Sequence, residues 1–560
     1  MTGFTTGEMS NSADRASCYM LHDAIYGGPG MAEDGPTGQD APGQRAPRHG
    51  VTRRTMLKGA AAAGLASQLG LWLSRAEAST GDDWTAFDQA ISGAFERMGM
   101  VGSALAVVRA DEVLYQRTLG VRDLASGAPV TPDTHFLVAS TTKSMTSALV
   151  ATYVDSGALA WEQPVVDAWP KFRAPTDELT RSLRVIDLFC MATGIGEPAS
   201  ISAFAQGDPT TGQILDLLAI LPVDHAPNEQ FFYNNTVYTV GGYLPLLAQG
   251  VEVEDLAAAY AEAMRERVFR PAGMARTLIA ADPRGVVEDY ATGNGPAFGQ
   301  GIVAQPYGPL GSFTPVGGAL SNLEDMSAYV QMQLRRGVSV DGTRVASAAN
   351  LEETWKGHVA IDLPPDVDPD ATSASYARGW IAVDYRGGHE LIWHNGGIDG
   401  FSTFIGFLPD DDLGLVVLND MGPEPLGLYY YQYVLNTLLE SRLGLNAGMP
   451  SKVEAAYEAV VASLDELAAE AVPVDPDVVA PYLGHYQGGF TVALDPAGAL
   501  HVRKGGRVIP LLALGDDYVA SGGLIPGLSV RFSLDADEVP RMELVGVDSV
   551  RRTTGLDDAR

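Results

Sequence analysis

Apolar and polar positions along the chain follow two rhythms, and the switches between them divide it. Residues 79–100 carry Trp84, Phe87, Ile91 and Phe95 at helical spacing, which predicts a helix. Two strand-like runs follow, Ser103–Val108 and Val113–Leu119, joined by the polar turn Arg109–Glu112. A helix is predicted from Ser140 to Asp155, closed by Gly157. Met145, Leu149 and Tyr153 share one stripe, with Val150 and Val154 beside it.

The stretch 160–370 mixes helices with Gly/Pro-rich loops. Strand patterns return at Gly379–Tyr385, Glu390–His394, Thr403–Leu408 and Leu413–Leu418. Helical material follows from Pro425 to Ala471, including Lys452–Ala469. Strands at both ends with helices between them predict one sheet built from both ends of a domain, with a helical region inserted.

A Pro-rich stretch, Val472–Val478, marks a boundary. Beyond it, Phe490–Leu494, Leu500–Arg503, Val508–Leu514, Val530–Leu534 and Met542–Val545 are separated by Gly and Asp turns. This pattern predicts a small antiparallel β-domain, a sandwich or a barrel.

The first 78 residues read differently. Thr52-Arg53-Arg54 precedes an Ala- and Leu-rich run from Gly59 to Leu73, then Arg75 and Ala76-Glu77-Ala78. Twin arginines, a modest apolar run and a small-residue cleavage site resemble a twin-arginine export signal. The run falls short of the ~20 residues that span a bilayer, and Gln68 interrupts it. The alternative is a basic stretch before an ordinary Ala-rich helix. Residues 1–50 are rich in Gly, Pro and Asp, and Met31 offers an alternative start. The expected organisation is therefore a leader over 1–78, a catalytic domain over 79–440, a helical linker over 441–478 and a β-domain over 479–560. Cleavage after Ala78 would release a periplasmic or secreted protein without a membrane span.

With 46% hydrophobic residues the 560-residue chain can build a sizeable core, and two domains suit its length. The formal net charge of −32 repels phosphate backbones, which argues against a nucleic-acid partner. The carboxylates are scattered rather than blocked, as on a solubilising surface. Of two cysteines, Cys18 lies in the expected leader, so Cys190, in the apolar run Leu188–Met191, is expected as a buried thiol. No Cys/His cluster has metal-ligand spacing.

Three short elements carry the candidate chemistry. In Ser140-Thr141-Thr142-Lys143, an apolar run precedes the serine and an apolar helix follows the lysine. The expected helix start puts Ser140 at its N-terminus and Lys143 one turn on, on the same side. A desolvated, neutral amine there can take the hydroxyl proton. Alone, the pattern also fits a capping serine and a solvated lysine, but the apolar surroundings disfavour solvation. In Tyr233-Asn234-Asn235 a phenol can relay protons and an amide can hold a lysine or a carbonyl; alone, it also fits a turn. In His394-Asn395-Gly396-Gly397, a strand ending in glycine can bring its backbone against a ligand. A lone histidine there equally fits a structural role.

Ser-x-x-Lys, Tyr-x-Asn and His-x-Gly in this order resemble the serine beta-lactamase and penicillin-binding-protein-like hydrolases, the class C beta-lactamase-related group that includes D-aminopeptidases and esterases. Val121–Thr134, Arg270–Thr277, Gly317–Ser321, Tyr376–Trp380 and Gly396–Ser402 leading to Leu408-Pro409 are similar too, so the resemblance runs from about 85 to 440. It implies a mixed α/β domain, with an antiparallel sheet flanked by helices, beside an all-helical region, and an active site between them. It implies attack by Ser140 on a small-molecule or peptide substrate, with Lys143 and Tyr233 as the acid/base pair. Asn235 would position Lys143 and the substrate, and the N–H groups of Ser140 and Gly397 would form the oxyanion hole. His394 and Gly396 would line the substrate site. No metal or organic cofactor is implied.

The departures narrow the substrate. His394 stands where many penicillin-binding relatives carry a carboxylate-recognising lysine, which suits the esterase and D-aminopeptidase branch. Met191-Ala-Thr-Gly194 replaces a frequent His-Thr-Ser-Gly, and Pro227-Asn228-Glu229 a frequent Pro-Gly-Glu. Asparagine tolerates positive φ, so the latter turn is expected to survive. The expected activity is amide or ester hydrolysis through an acyl-enzyme. Acyl transfer, or a penicillin-binding-like sensor or peptidoglycan-binding module without turnover, are the alternatives. The C-terminal region from Val479 resembles the small β-domain attached to several such hydrolases; it either stabilises the chain or shapes substrate access.

Overall fold

The computed structural model describes residues 77–78, 83–197, 209–308, 310–364, 366–422, 426–504, 507–515, 517–522, 526–544 and 548–554. All of the expected leader except Glu77–Ala78 lies outside them; those two residues pair with Gln116 and Tyr115 at one sheet edge.

The elements that frame the site are, in chain order, α1 (Thr85–Arg97), β1 (Gly102–Val108), β2 (Val113–Asp123), α2 (Thr142–Asp155), α3 (Asn235–Leu247) and α4 (Leu323–Leu334). They continue with β3 (Ala371–Tyr376), β4 (Ile381–Tyr385), β5 (Glu390–Ile398), β6 (Phe401–Leu408), β7 (Leu413–Asn419), α5 (Leu426–Leu443) and α6 (Met449–Glu470). The strands form one antiparallel sheet in the order β2-β1-β7-β6-β5-β4-β3. N-terminal β1 pairs with C-terminal β7, Ala104 opposite Leu418, so both ends of the domain build the sheet, as the strand pattern predicts.

Every residue of β1, β6 and β7 is buried. This explains why these strands read as continuous apolar runs rather than as alternations: helices cover both faces. On β6 the period of two sends neighbouring aromatics opposite ways. Phe404 stacks on Tyr431 of α5, 5.4 Å between centroids, while Phe407 meets Trp355 and Trp380. Strand β3 lacks an apolar pattern because it reads Ala-Thr-Ser-Ala-Ser-Tyr; it lies near the sheet edge, paired on its outer side with the two-residue strand Val359–Ala360.

Helix α2 differs from its expected single stripe, since Thr142 to Tyr153 are all buried. A helix surrounded by protein needs no amphipathic face. Its small hydroxyls bond inward: Ser144 Oγ donates to the Thr141 carbonyl at 2.8 Å and Ser147 Oγ to the Ser144 carbonyl at 2.9 Å.

Residues 441–478 form no free-standing tether. The first turns of α6 place Met449, Val453 and Tyr457 in the main core, beside α5 and α1. A separate core begins with Val474 and Val479 and fills a closed antiparallel barrel of eight strands. Five of these were legible; Gly484–Tyr486, Asp517–Ala520 and Asp548–Thr554 are short or rich in polar residues. The barrel touches the first domain through the Ser521 carbonyl, which accepts from the Phe298 N–H at 2.7 Å, and through Arg507. Cys190 is a buried free thiol. Among the described residues, no helix is long and apolar enough to cross a membrane.

Candidate active site

Ser140 does not begin the α-helix. It sits in a 3₁₀ turn, Ala139–Thr141, that runs into α2 at Thr142. Ala139 takes φ 47°, a left-handed conformation that costs a non-glycine residue about 1–2 kcal/mol. Such strain persists only where packing over-determines it, and here it presents Ser140 as a partly exposed residue at the rim of a buried helix.

Lys143 is wholly buried. Its Nζ lies 3.1 Å from Ser140 Oγ and donates to the Val316 carbonyl at 3.2 Å. Burial holds the amine well below the ordinary lysine range, with the Glu197 carboxylate acting the other way. The Tyr233 ring centroid lies 4.6 Å from the same Nζ. Burial raises the Tyr233 phenol, and the Ser140 hydroxyl, its hydrogen-bonding neighbour, opposes that rise. A hydroxyl, a desolvated amine and a protonated phenol thus meet in one place.

Tyr233 is set by the start of α3. Asn234 caps that helix, its Oδ1 accepting from the Val237 N–H at 2.8 Å and its Nδ2 donating to the Ile195 carbonyl at 2.9 Å. The turn before it holds Asn228 at φ 64°, the left-handed conformation that its sequence allows. Asn235 is buried in the first turn of α3. No hydrogen bond joins its amide to Lys143 among the described residues. Its backbone N–H goes to Glu197 instead.

Against the Ser140 turn, β5 does not end at its glycines. It runs through Gly396 and Gly397 to Ile398, paired along β6. A Cβ on Gly396 would collide with the Val138 carbonyl and come within 3.0 Å of the Ser140 nitrogen. Only glycine lets the strand pass that close to the Ser140 turn. Thr403 Oγ1, opposite Gly396, donates to the Val138 carbonyl at 2.9 Å and locks the two together. Gly397, paired with Ser402, is the next residue along.

His394 is 1% exposed, and its Nε2 lies 3.2 Å from the Tyr376 hydroxyl. Burial, reinforced by Lys143, pushes its pKa down to about 3, so the ring is neutral. The Tyr376 ring stands edge-on to Tyr233, 6.2 Å between centroids, and to His394, 5.9 Å.

The Beta-lactamase family profile matches residues 87–439. The chain belongs to the beta-lactamase family. This beta-lactamase relative is 26% identical to the "Unguisins hydrolase ungD" of Aspergillus violaceofuscus, over 82% of its own length and 87% of that protein. It is 25% identical to "Penicillin-binding protein 4" of Amycolatopsis lactamdurans, over 57% of its length and 81% of that protein. The octameric penicillin-binding protein homologue from Pyrococcus abyssi shares its fold, with a TM-score of 0.54, 21% identity, and 84% and 100% coverage.

Two residues of this beta-lactamase-family site escaped the sequence. Tyr376 closes the aromatic wall; its segment, Tyr376–Trp380, resembles the family, but a tyrosine ending a polar strand gives no sign of a site role. Glu197 follows Gly194-Ile195-Gly196 in a loop, with no spacing to tie it to Lys143. Its carboxylate is pushed up to about 7 by burial, against the pull of its hydrogen bonds to Thr236 and Asn235 and of Lys143.

Proposed function

We propose that this family member is an exported serine hydrolase that cleaves amide or ester bonds of small or modified peptides through an acyl-enzyme on Ser140. The observation that carries the reading is the buried Lys143 amine 3.1 Å from the Ser140 hydroxyl, depressed in pKa by desolvation. Desolvation of this kind is how a lysine amine comes to serve as a general base.

In this reading Lys143 takes the Ser140 proton as Oγ attacks the scissile carbonyl. The oxyanion that develops is held by the N–H groups of Ser140 and Gly397. Collapse breaks the C–N or C–O bond, and Tyr233, replenished through Lys143, hands a proton to the departing amine or alkoxide. Water then attacks the acyl-enzyme by the same route in reverse, giving the acid and free Ser140.

The neutral His394 bears on the substrate. Where relatives of the penicillin-binding kind carry a lysine, the neutral His394 offers no cation to a terminal carboxylate. That favours neutral acyl groups, amides and esters over free C-terminal carboxylates. The name of the ungD relative, a hydrolase of unguisins, is in keeping with hydrolytic rather than sensory use. Export rests on the twin-arginine pattern around Arg53-Arg54.

The test is a substrate screen on protein starting at Ser79, with D-amino-acid amides, short peptides, cephalosporins and short-chain esters, beside fluorophosphonate labelling. Turnover and labelling lost together in Ser140→Ala support the reading. Labelling without turnover of any substrate contradicts hydrolysis and points to a sensor.

A further inference from the structure

Glu197 belongs to a loop, yet its carboxylate is spent on the first turn of α3. It accepts from the Asn235 N–H, from the Thr236 N–H at 3.2 Å and from Thr236 Oγ1 at 2.7 Å. The first N–H groups of a helix have no partner within it and carry a positive partial charge, so an anion there is doubly favoured. The segment it pins is the one that delivers Tyr233 and Asn235 to Ser140. The loop is held in return: the Asn234 side chain donates to the Ile195 and Gly196 carbonyls, at 2.9 and 3.3 Å. Loop and helix start therefore grip each other immediately after Tyr233.

Glu197 also acts on the reacting groups themselves. It is the charged side chain that opposes desolvation at Lys143, and it bears on Tyr233 as well. The other titratable groups around this centre are Tyr238, whose hydroxyl donates to the Lys143 carbonyl at 2.7 Å, and, from the sheet, His394 and Tyr376. Of these, only Glu197 can supply negative charge to a Lys143 that has just taken the Ser140 proton.

We propose that Glu197 is a positioning residue for acyl transfer: it fixes the Tyr233–Asn235 segment against Ser140 and places its negative charge where the Lys143 ammonium forms. This rests on Ser140 acylation as proposed above. It assigns no contact between Glu197 and substrate.

The experiment compares wild type, Glu197→Gln, Glu197→Ala and Ser140→Ala with a neutral p-nitrophenyl ester across pH, alongside thermal melting. Glu197→Gln keeps an acceptor oxygen for Thr236 and loses the charge together with the acceptor for the Asn235 N–H. It should melt within a few degrees of wild type, with kcat down about 10- to 100-fold and KM little changed. With the carboxylate gone, Lys143 protonates less readily, so the acid limb of kcat/KM should move to lower pH. Glu197→Ala, which releases the helix start as well, should lose more kcat than Glu197→Gln. An unmoved acid limb and wild-type kcat in Glu197→Gln overturn the proposal. If Ser140→Ala still turns over the ester, the acyl-enzyme reading itself fails, whatever Glu197 does.

Discussion

Lys143 Nζ lies 3.1 Å from Ser140 Oγ, while the Lys143 side chain is sealed from solvent. These two facts depend on each other. The helix that carries Lys143 is buried over its first twelve residues, and the amine meets the Val316 carbonyl, the Ser140 hydroxyl and the Tyr233 ring. Desolvation of that kind is what turns an ordinary ammonium into a base.

The first prediction concerns this amine. Activity needs Lys143 neutral, and burial holds its pKa well below 10.5, so kcat/KM for a neutral ester should rise with pH and level off well before the ordinary lysine range. Lys143→Arg replaces the base with a group that never deprotonates at these pH values. Its kcat should fall about 10³-fold, in the range that general-base removal produces. A profile that climbs steadily to pH 10.5 would contradict a depressed amine.

A second prediction follows from His394. Its pKa is pushed down to about 3 in the fold, against 6.5 when free. Above pH 6.5 both states are neutral there and the residue contributes no pH dependence. As pH falls from 6.5 towards 3, the unfolded chain takes up a proton that the folded chain refuses, so stability declines. His394→Gln removes this contribution. Urea unfolding between pH 7 and 4 should show a shallower loss of stability in the variant than in wild type. Equal slopes would contradict a buried neutral ring.

A third prediction concerns the barrel. Arg507 Nε lies 3.1 Å from Asp399 Oδ1, and both side chains are nearly sealed, 10% and 3% exposed. Asp399 also accepts from the Gly308 N–H at 2.8 Å, and it turns the chain from β5 into β6 just past Gly397. Removing one partner of a buried ion pair strands the other, at a cost of about 3–5 kcal/mol. Arg507→Ala should therefore lower the melting temperature and reduce kcat together. A variant that melts like wild type would mean the barrel does not buttress the active-site turn.

The Ser140 turn, Tyr233 and the Gly396–Gly397 strand were legible through their order along the chain, which resembles the family, since each motif alone also fits a cap, a turn or a structural histidine. The sequence reading also found most of the sheet, whose buried strands are unbroken apolar runs. What it missed is long-range or silent. Glu197 meets the helix it caps only in three dimensions, and Arg507 and Asp399 are 108 positions apart, one buried salt bridge among many charged residues. Strand β3 is made of small polar residues that a sheet edge tolerates and a pattern search passes over. The 3₁₀ turn at Ser140 depends on the positive φ of Ala139, which no alanine announces.

The central claim is a covalent bond to one oxygen. Intact-mass spectrometry of the protein quenched in acid during turnover of a slow ester or amide, followed by peptide mapping, tests it most directly. The account predicts an adduct equal in mass to the acyl group, on the peptide containing Ser140, absent in Ser140→Ala and strongly reduced in Lys143→Arg. Turnover with no adduct under single-turnover quench, or an adduct on any other residue that persists in Ser140→Ala, would contradict it.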